Sequence, residues 1–248
     1  MRELSLPGRA KPYVMAHRGN RMLCPENTLS AFLKAFEEGA DILETDLHLS
    51  ADGVFMCIHD ATVDRTTNGK GAVNSLTLDE LKQLSASYNF KGFENERIPT
   101  LAETAGILPP GVALALELKT DRFLEEEVCR RLVAELRSSG ILERSLMLSF
   151  SLPRLQAVKA VNPSIPIGWI TMSQLTPNPL PEVLGPFWPG VFLNPFFVRR
   201  AHQRGQLVCP LDPTPDRRLW YYKLLNCDAL VTDNPGATLE VLKRISFK

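Results

Sequence analysis

Hydrophobic positions along the chain fall into short runs separated by stretches with helical spacing. Eight runs have the length and composition of strands: 13–16, 42–47, 112–118, 145–150, 165–170, 191–194, 206–211 and 229–232. Between most of them, apolar residues recur every three or four positions. Leu29, Phe32, Leu33 and Phe36 follow Asn27, a side chain suited to capping a helix N-terminus. Leu124, Val128, Leu132 and Leu136 repeat at four-residue intervals until Gly140 stops the pattern. Leu219, Tyr222 and Leu225 mark a further helix, and Leu239, Leu242 and Ile245 the last. Strands alternating with helices pair in parallel, and eight such units close into a (β/α)8 TIM barrel. An open doubly wound sheet is disfavoured, because no glycine-rich phosphate loop follows the first strand.

Two stretches interrupt this rhythm. Residues 61–101 hold one convincing helix, 77–84 with Leu78, Leu81 and Leu84, and end in the loop-like SYNFKGFENERIP. They predict a small insertion after the second strand. Residues 175–189 contain five prolines, which predicts an irregular fifth crossover. No repeat, low-complexity tract or linker divides residues 1–248, so one domain is expected.

Charge narrows the classes of partner. The 248 residues carry 28 Lys and Arg against 28 Asp and Glu, a balance that argues against nucleic-acid binding through a bulk positive field. Cys24, Cys57, Cys129, Cys209 and Cys227 are scattered and form no CxxC, which predicts reduced, isolated thiols rather than a zinc cage or disulfides. The opening MRELSLPGRAKPY has no apolar leader core, and no apolar run nears the ~18 residues of a membrane span. A cytoplasmic protein without a stable membrane anchor is expected; its oligomeric state is left open.

Strand alternation puts Glu44, Asp46 and His48 on one face of ILETDLHL and Leu43, Thr45 and Leu47 on the other. In VALALELK, Ala113, Ala115, Glu117 and Lys119 share a face opposite Leu114, Leu116 and Leu118. The large apolar faces suit the helix layer. Glu44, Asp46 and Glu117 would then converge inside the C-terminal mouth, where barrel enzymes hold their sites. Either a hard divalent cation such as Mg²⁺ or Ca²⁺ neutralises them, or they pair with Lys119 or lie at the surface. His17 and His59 both end strand-like runs, as acid/base groups or as structural side chains. His202, in VRRAHQRG, reads as solvated surface. Arg18 and Lys119 would suit an anionic, oxygen-rich substrate such as a phosphate; a salt bridge to Glu26 or Asp60 is the other reading of Arg18. No GxSxG, HxH or HExxH occurs, which disfavours serine and imidazole-rich zinc hydrolases.

HRGNRMLCPENTLSAF (17–32) strongly resembles the opening of the glycerophosphodiester phosphodiesterase family. GADILETDLHLSADGVFMCIHD (39–60), TVDRTTNGKG (62–71), IPTLAE (98–103), LELK (116–119) and ALVTDNP (229–235) resemble further family blocks, in family order. The resemblance implies a (β/α)8 barrel with an insertion after the second strand. It implies metal-dependent hydrolysis of glycerophosphodiesters to sn-glycerol 3-phosphate and an alcohol. By position, Glu44, Asp46 and Glu117 match metal ligands for Mg²⁺ or Ca²⁺, and His17 and His59 match the general acid/base pair. Arg18 matches a phosphate contact and Lys119 a charged position beside the metal. Asn27 matches a residue that orders the first site loop, and Asp60 and Arg65 resemble loop supports. VCPLDPTP (208–215) departs from the family's WTVN-like segment. A lipid-acting relative, of lysophospholipase D or sphingomyelinase D type, is the alternative, with Trp188, Phe192, Phe196 and Phe197 as a possible apolar entrance. A non-catalytic phosphodiester-binding protein is the remaining one.

Overall fold

In the computed structural model, parallel strands wind around a common interior in nearly closed order. They are β1 (Tyr13–His17), β2 (Ile42–Leu49), a short antiparallel β3 (Phe55–Cys57) off the side of β2, then β4 (Ala113–Leu118), β5 (Ser145–Ser149), β6 (Ile167–Thr171), β7 (Val183–Pro186), β8 (Leu207–Val208) and β9 (Ala229–Thr232). The ladder runs β8-β7-β6-β5-β4-β2-β1-β9. The structure describes residues 6–246. Residues 1–5, part of the opening stretch read as leaderless, and residues 247 and 248 lie outside the described residues.

Register and alternation create two apolar layers. Met15, Ile42, Ala115, Leu148, Ile170, Val183, Cys209 and Val231 point inward and pack together. Gly168 has no side chain because a Cβ there would stand 2.5 Å from Leu148, which fills that part of the interior. The other faces of β2 and β4, with Leu43, Leu47, Leu114, Leu116 and Leu118, pack on surrounding helices. These include α1 (Leu29–Glu37), α3 (Leu101–Ile107), α4 (Glu126–Ser138) and α5 (Leu152–Val161), while α2 (Leu78–Gln83) belongs to the insertion. Helix α4 buries Val128, Leu132 and Leu136 of the expected stripe, whereas Leu124 lies in the 3-10 turn before the helix and is exposed; Gly140 follows with φ +68°. Helix α2 starts with a capping box between Thr77 and Glu80. Around it Met56, Ile58, Val63, Val73, Leu81, Ala86 and Ile98 form a small satellite core. All five cysteines are buried and unpaired.

Three expectations are corrected. Residues 191–194 are not a strand but the end of α6 (Trp188–Leu193) and its C-cap; Pro189 sits in the first turn, where the N–H that proline lacks would have no intrahelical acceptor. The strand of that unit is β7, inside the proline-rich stretch, where pairing with β6 and β8 imposes an extended backbone that the prolines conceal. The fifth crossover, residues 172–182, is irregular as expected. The run at 206–211 ladders only over Leu207–Val208, with an isolated bridge from Leu211 to Phe187. Finally, α1 is capped by Thr28, whose hydroxyl accepts from the Ala31 N–H; Asn27 is committed elsewhere.

The chain continues through α7 (Phe197–His202), α8 (Leu219–Leu224) and α9 (Pro235–Ser246). The barrel seam falls between β8 and β9, where no ladder forms. Asp228 bridges it. Its backbone N–H donates to Val208 O, its backbone O accepts from Tyr13, and its carboxylate accepts the Val208 N–H at 2.8 Å. The same carboxylate takes Lys11 Nζ and His202 Nε2, each at 2.8 Å, so His202 is a seam partner with an exposed edge rather than plain solvated surface. Asp228→Ala leaves a buried N–H without its acceptor and is expected to destabilise the fold by roughly 2–4 kcal/mol. Urea unfolding followed by circular dichroism measures this, and a loss under about 1 kcal/mol contradicts the bridging role.

Candidate active site

The C-terminal ends of β1, β2 and β4 bring the charged residues together. Parallel register sets His17 beside Glu44, and Asp46 beside Glu117. Glu44, Asp46 and Glu117 each offer a carboxylate oxygen within 4.8 Å of the other two, and all three residues are buried. Two cations meet them. Lys119 Nζ lies 2.9 Å from Glu117 and 3.4 Å from Asp46. Arg18 Nε lies 3.1 Å from Asp46 Oδ2, and Arg18 Nη1 is 2.9 Å from Glu26.

The loop after β1 is built to hold Arg18 inward. Arg18 has φ +58° and Asn27 φ +54°, left-handed conformations uncommon for residues with a Cβ. Hydrogen bonds compensate: the Arg18 N–H donates to the Glu44 backbone and to Glu44 Oε2, each at 3.0 Å, and the Asn27 N–H donates to Arg18 O. Asn27 Nδ2 donates to Asp46 Oδ2 at 2.9 Å, while Asn27 Oδ1 accepts from Thr45. Between them, Gly19 passes so close to α1 that a Cβ would fall 2.5 Å from the Ala31 backbone.

Electrostatics divides the three acids. Burial pushes Glu44 well above the ordinary carboxyl range, with Asp46 and Glu117 adding repulsion. Burial and Asp46 likewise raise Glu117. Burial also acts on Asp46, but Arg18 and Lys119 outweigh it and hold the group below its ordinary value. Lys119 is raised, burial being overcome by Asp46 and Glu117. One oxygen stands out: Asp46 Oδ1 is buried and has no hydrogen-bond partner among the described residues. A buried acceptor left in this state costs about 1–3 kcal/mol. Three carboxylates against two cations, with Oδ1 of Asp46 held only by the 3.4 Å ion pair to Lys119, match a hard divalent ion bound by oxygen, which would relieve the repulsion and take the lone pairs that no hydrogen bond uses.

Each candidate histidine has its own carboxylate. His17 Nδ1 is 2.7 Å from Asp233 Oδ1, and His59 Nδ1 is 2.6 Å from Asp60 Oδ1. Such a contact leaves Nε2 as the ring atom free for chemistry. The pairs differ. Arg65 donates to both oxygens of Asp60, whereas Arg21 stays 3.9 Å from Asp233. Burial lowers the His59 pKa, with Asp46 opposing. His48, on the same strand face as Asp46, is not aimed at the acids: its Nε2 meets the His59 backbone O at 3.2 Å.

Sequence reasoning gave no role to Asp233, Arg21 or Glu26 beyond that of a salt-bridge partner. Asp233 directly follows β9 at the same end of the barrel, a position shared with the other site residues, but a lone Asp in a turn carries no periodic signal. Glu26 is the hub of the loops, meeting Arg18, Arg21 and Arg65. Asp60 and Arg65, expected as loop supports, join this network. The divergent segment after β8 buries Asp212, which pairs with Arg218 and accepts from Tyr222; Pro213 and Thr214 line a groove of about 480 Å³ with Met22, Arg217 and Asp233. Of the four suggested entrance aromatics, Phe197 is core, Trp188 is half-buried beneath the Arg218 guanidinium at 4.3 Å, and Phe192 and Phe196 are exposed on the flank.

Residues 17–237 match the model of the glycerophosphoryl diester phosphodiesterase family. The chain is 33% identical over 245 residues to a glycerophosphodiester phosphodiesterase of Caldanaerobacter subterraneus, covering 94% of this chain and 99% of that one. It is 28% identical over 239 residues to one from Bacillus altitudinis, covering 92% and 97%. A phosphodiesterase from Oleispira antarctica, solved in complex with the product sn-glycerol-3-phosphate, superposes with a TM-score of 0.83 at 29% identity, over 94% of this chain and 97% of the other.

The Glu26 hub carries a pH signature. Burial raises its pKa, but the Arg65 hydrogen bond and the charges of Arg18 and Arg21 bring it from 4.5 to about 2. A group depressed on folding stabilises above its unfolded pKa and loses that contribution as pH falls through its folded value. Stability is therefore expected to drop between pH 4.5 and about 2 by on the order of 3 kcal/mol from this group. Equilibrium unfolding against pH tests it: Glu26→Gln should be less stable at neutral pH and show a shallower slope in that window, and an unchanged slope refutes the assignment.

Proposed function

The chain belongs to the glycerophosphoryl diester phosphodiesterase family and is an enzyme of that class, and we propose that it hydrolyses glycerophosphodiesters to sn-glycerol 3-phosphate and an alcohol with a divalent cation and two histidines. The observation that carries this reading is the orphaned Asp46 Oδ1 within a buried trio of carboxylates at the mouth that His17 and His59 share. Glu44, Asp46 and Glu117 would hold the ion, Mg²⁺ or Ca²⁺ by the hardness of the donors. An ion held there would supply positive charge against the phosphate and the negative charge that develops on it.

The chain's own residues do the rest. Arg18 and Lys119 flank the acids and add fixed positive charge toward the phosphate, preorganised by the loop after β1. His59, whose pKa burial lowers, accepts the proton of the nucleophile, either water itself or the substrate's glycerol 2-hydroxyl, whose cyclic phosphate a water molecule then opens to sn-glycerol 3-phosphate. Asp60 fixes its ring through Nδ1, and Arg65 in turn holds both oxygens of that carboxylate. His17, with Asp233 at Nδ1, donates a proton to the departing alkoxide, a very poor leaving group unless protonated. The substrate is a small molecule, no helix among the described residues is long and apolar enough to cross a membrane, and we place the enzyme in the cytoplasm acting without nucleic acid.

His17→Ala and His59→Ala are each expected to lower kcat about 10²–10⁴-fold with the circular dichroism spectrum unchanged. Excess EDTA should silence the wild type, and Mg²⁺ or Ca²⁺ should restore it; full activity in EDTA argues against the ion. Product analysis on glycerophosphocholine reads both. A further expectation concerns pH. Because His59 must be unprotonated and its pKa is lowered, the acid limb of kcat/KM should lie below the ordinary imidazole value of 6.5. An acid limb above that value would reverse the roles of the two rings.

A further inference from the structure

Helices α6, α7 and α8 carry a contiguous apolar surface that the catalytic reading does not use. Phe192, Leu193, Phe196, Trp220 and Leu224 are all exposed, Leu193 at 75% and Leu224 at 69%. They form one patch. Phe192 stacks on Tyr221 at 4.1 Å, Tyr221 meets Trp220 edge-on at 5.5 Å, and Phe196 and Leu224 line one groove with Arg199. Helical spacing explains the display: Trp220 and Leu224 lie four apart on the side of α8 opposite the buried Leu219 and Tyr222. Phe196, Arg199 and Arg200 share the outer side of α7, whose Val198 and Ala201 are buried.

Charge is as one-sided as the apolar display. Residues 187–227 contain six Lys and Arg against two Asp, in a chain that is neutral as a whole. Both acids are engaged: Asp212 is buried with Arg218, and Asp216 accepts from Thr238. Arg199, Arg200 and Arg217 are exposed and have no carboxylate within ion-pair distance among the described residues. Arg217 also lines the groove that contains Asp233, so the patch adjoins the catalytic mouth.

We propose that this face docks the enzyme reversibly on an anionic lipid surface, with Phe196, Trp220 and Leu224 entering the headgroup boundary and Arg199, Arg200 and Arg217 meeting lipid phosphates. A second copy of the chain is the poorer occupant. A two-fold contact sets a patch against itself, which would bring these arginines together without acids to answer them. An aromatic and aliphatic face rimmed with arginine is the composition of an interfacial anchor, and each cation near an anionic leaflet raises partitioning about fivefold. The inference does not depend on the catalytic assignments, because it uses none of their residues.

The test is flotation of the full chain with vesicles of phosphatidylcholine containing about 30 mol% phosphatidylglycerol, beside vesicles of phosphatidylcholine alone. Binding to the anionic vesicles is expected to fall about tenfold or more in Phe196→Ser/Trp220→Ser/Leu224→Ser, in Arg199→Glu/Arg200→Glu, and in wild type at about 0.5 M salt. Turnover of soluble glycerophosphocholine should be unchanged in the arginine variant, which reports an intact fold and separates failure here from failure of the active-site reading. No flotation, flotation indifferent to both sets of changes, or a dimer in light scattering that the serine variant dissociates would each overturn the proposal.

Discussion

Everything at the mouth of this barrel follows from the cost of gathering Glu44, Asp46 and Glu117 in a volume closed to water. Three like charges a few ångströms apart cannot all be ionised in a poorly solvated site without opposing charge. The fold answers with Arg18 and Lys119, which hold Asp46 ionised while Glu44 and Glu117 are pushed upward. The answer is incomplete by about one charge and by one lone-pair partner. A site built to be self-sufficient would close that gap with a hydrogen-bond donor. Here Asn27 donates to Asp46 Oδ2 and Arg18 Nε stands 3.1 Å from the same oxygen, while Oδ1 makes no hydrogen bond and has only the Lys119 ammonium 3.4 Å away.

The architecture of the loops is the consequence. Arg18 reaches the acids only from a left-handed backbone, and such a conformation persists only where its surroundings over-determine it. The Glu44 carboxylate and backbone take the Arg18 N–H, Glu26 takes its guanidinium, and Glu26 is itself held by Arg21 and Arg65. Arg65 continues the chain to Asp60 and so to the ring of His59. One ionic network therefore spans the first loop and the insertion after β2, fixing Arg18 and His59, the proposed phosphate contact and proton acceptor, in one frame. The insertion owes its order to its own satellite core as well, around Val63, Val73, Leu81 and Ile98.

The legible part of this protein was the part with a period. Alternation in ILETDLHL and ALALEL reported which side chains face inward because both strands are sandwiched between an interior and a helix layer, and the observed clusters divide along that line. The resemblance to a known family named the same residues by position. What alternation could not report were contacts made across the chain. Asp233 meets His17 from 216 residues away, and Glu26 gathers arginines from two loops. The misplaced sixth strand has a different cause. Val191 to Leu193 looks extended by composition, whereas β7 is short and proline-flanked and owes its existence to two neighbours already in register.

The seam shows how far a local irregularity can be tolerated when one side chain replaces a ladder. Strand β8 contributes only two residues, and the sheet would present an open edge between it and β9. Asp228 substitutes for the missing pairing with its backbone and carboxylate together, and it draws Lys11 and His202 into the same junction. The polar crowding that a barrel requires is thus split between its two ends. At the seam a carboxylate is fully answered by donors, and the result is closure. At the mouth, carboxylates outnumber their cations, and that deficit is the feature on which the proposed uptake of a cation and a phosphate rests.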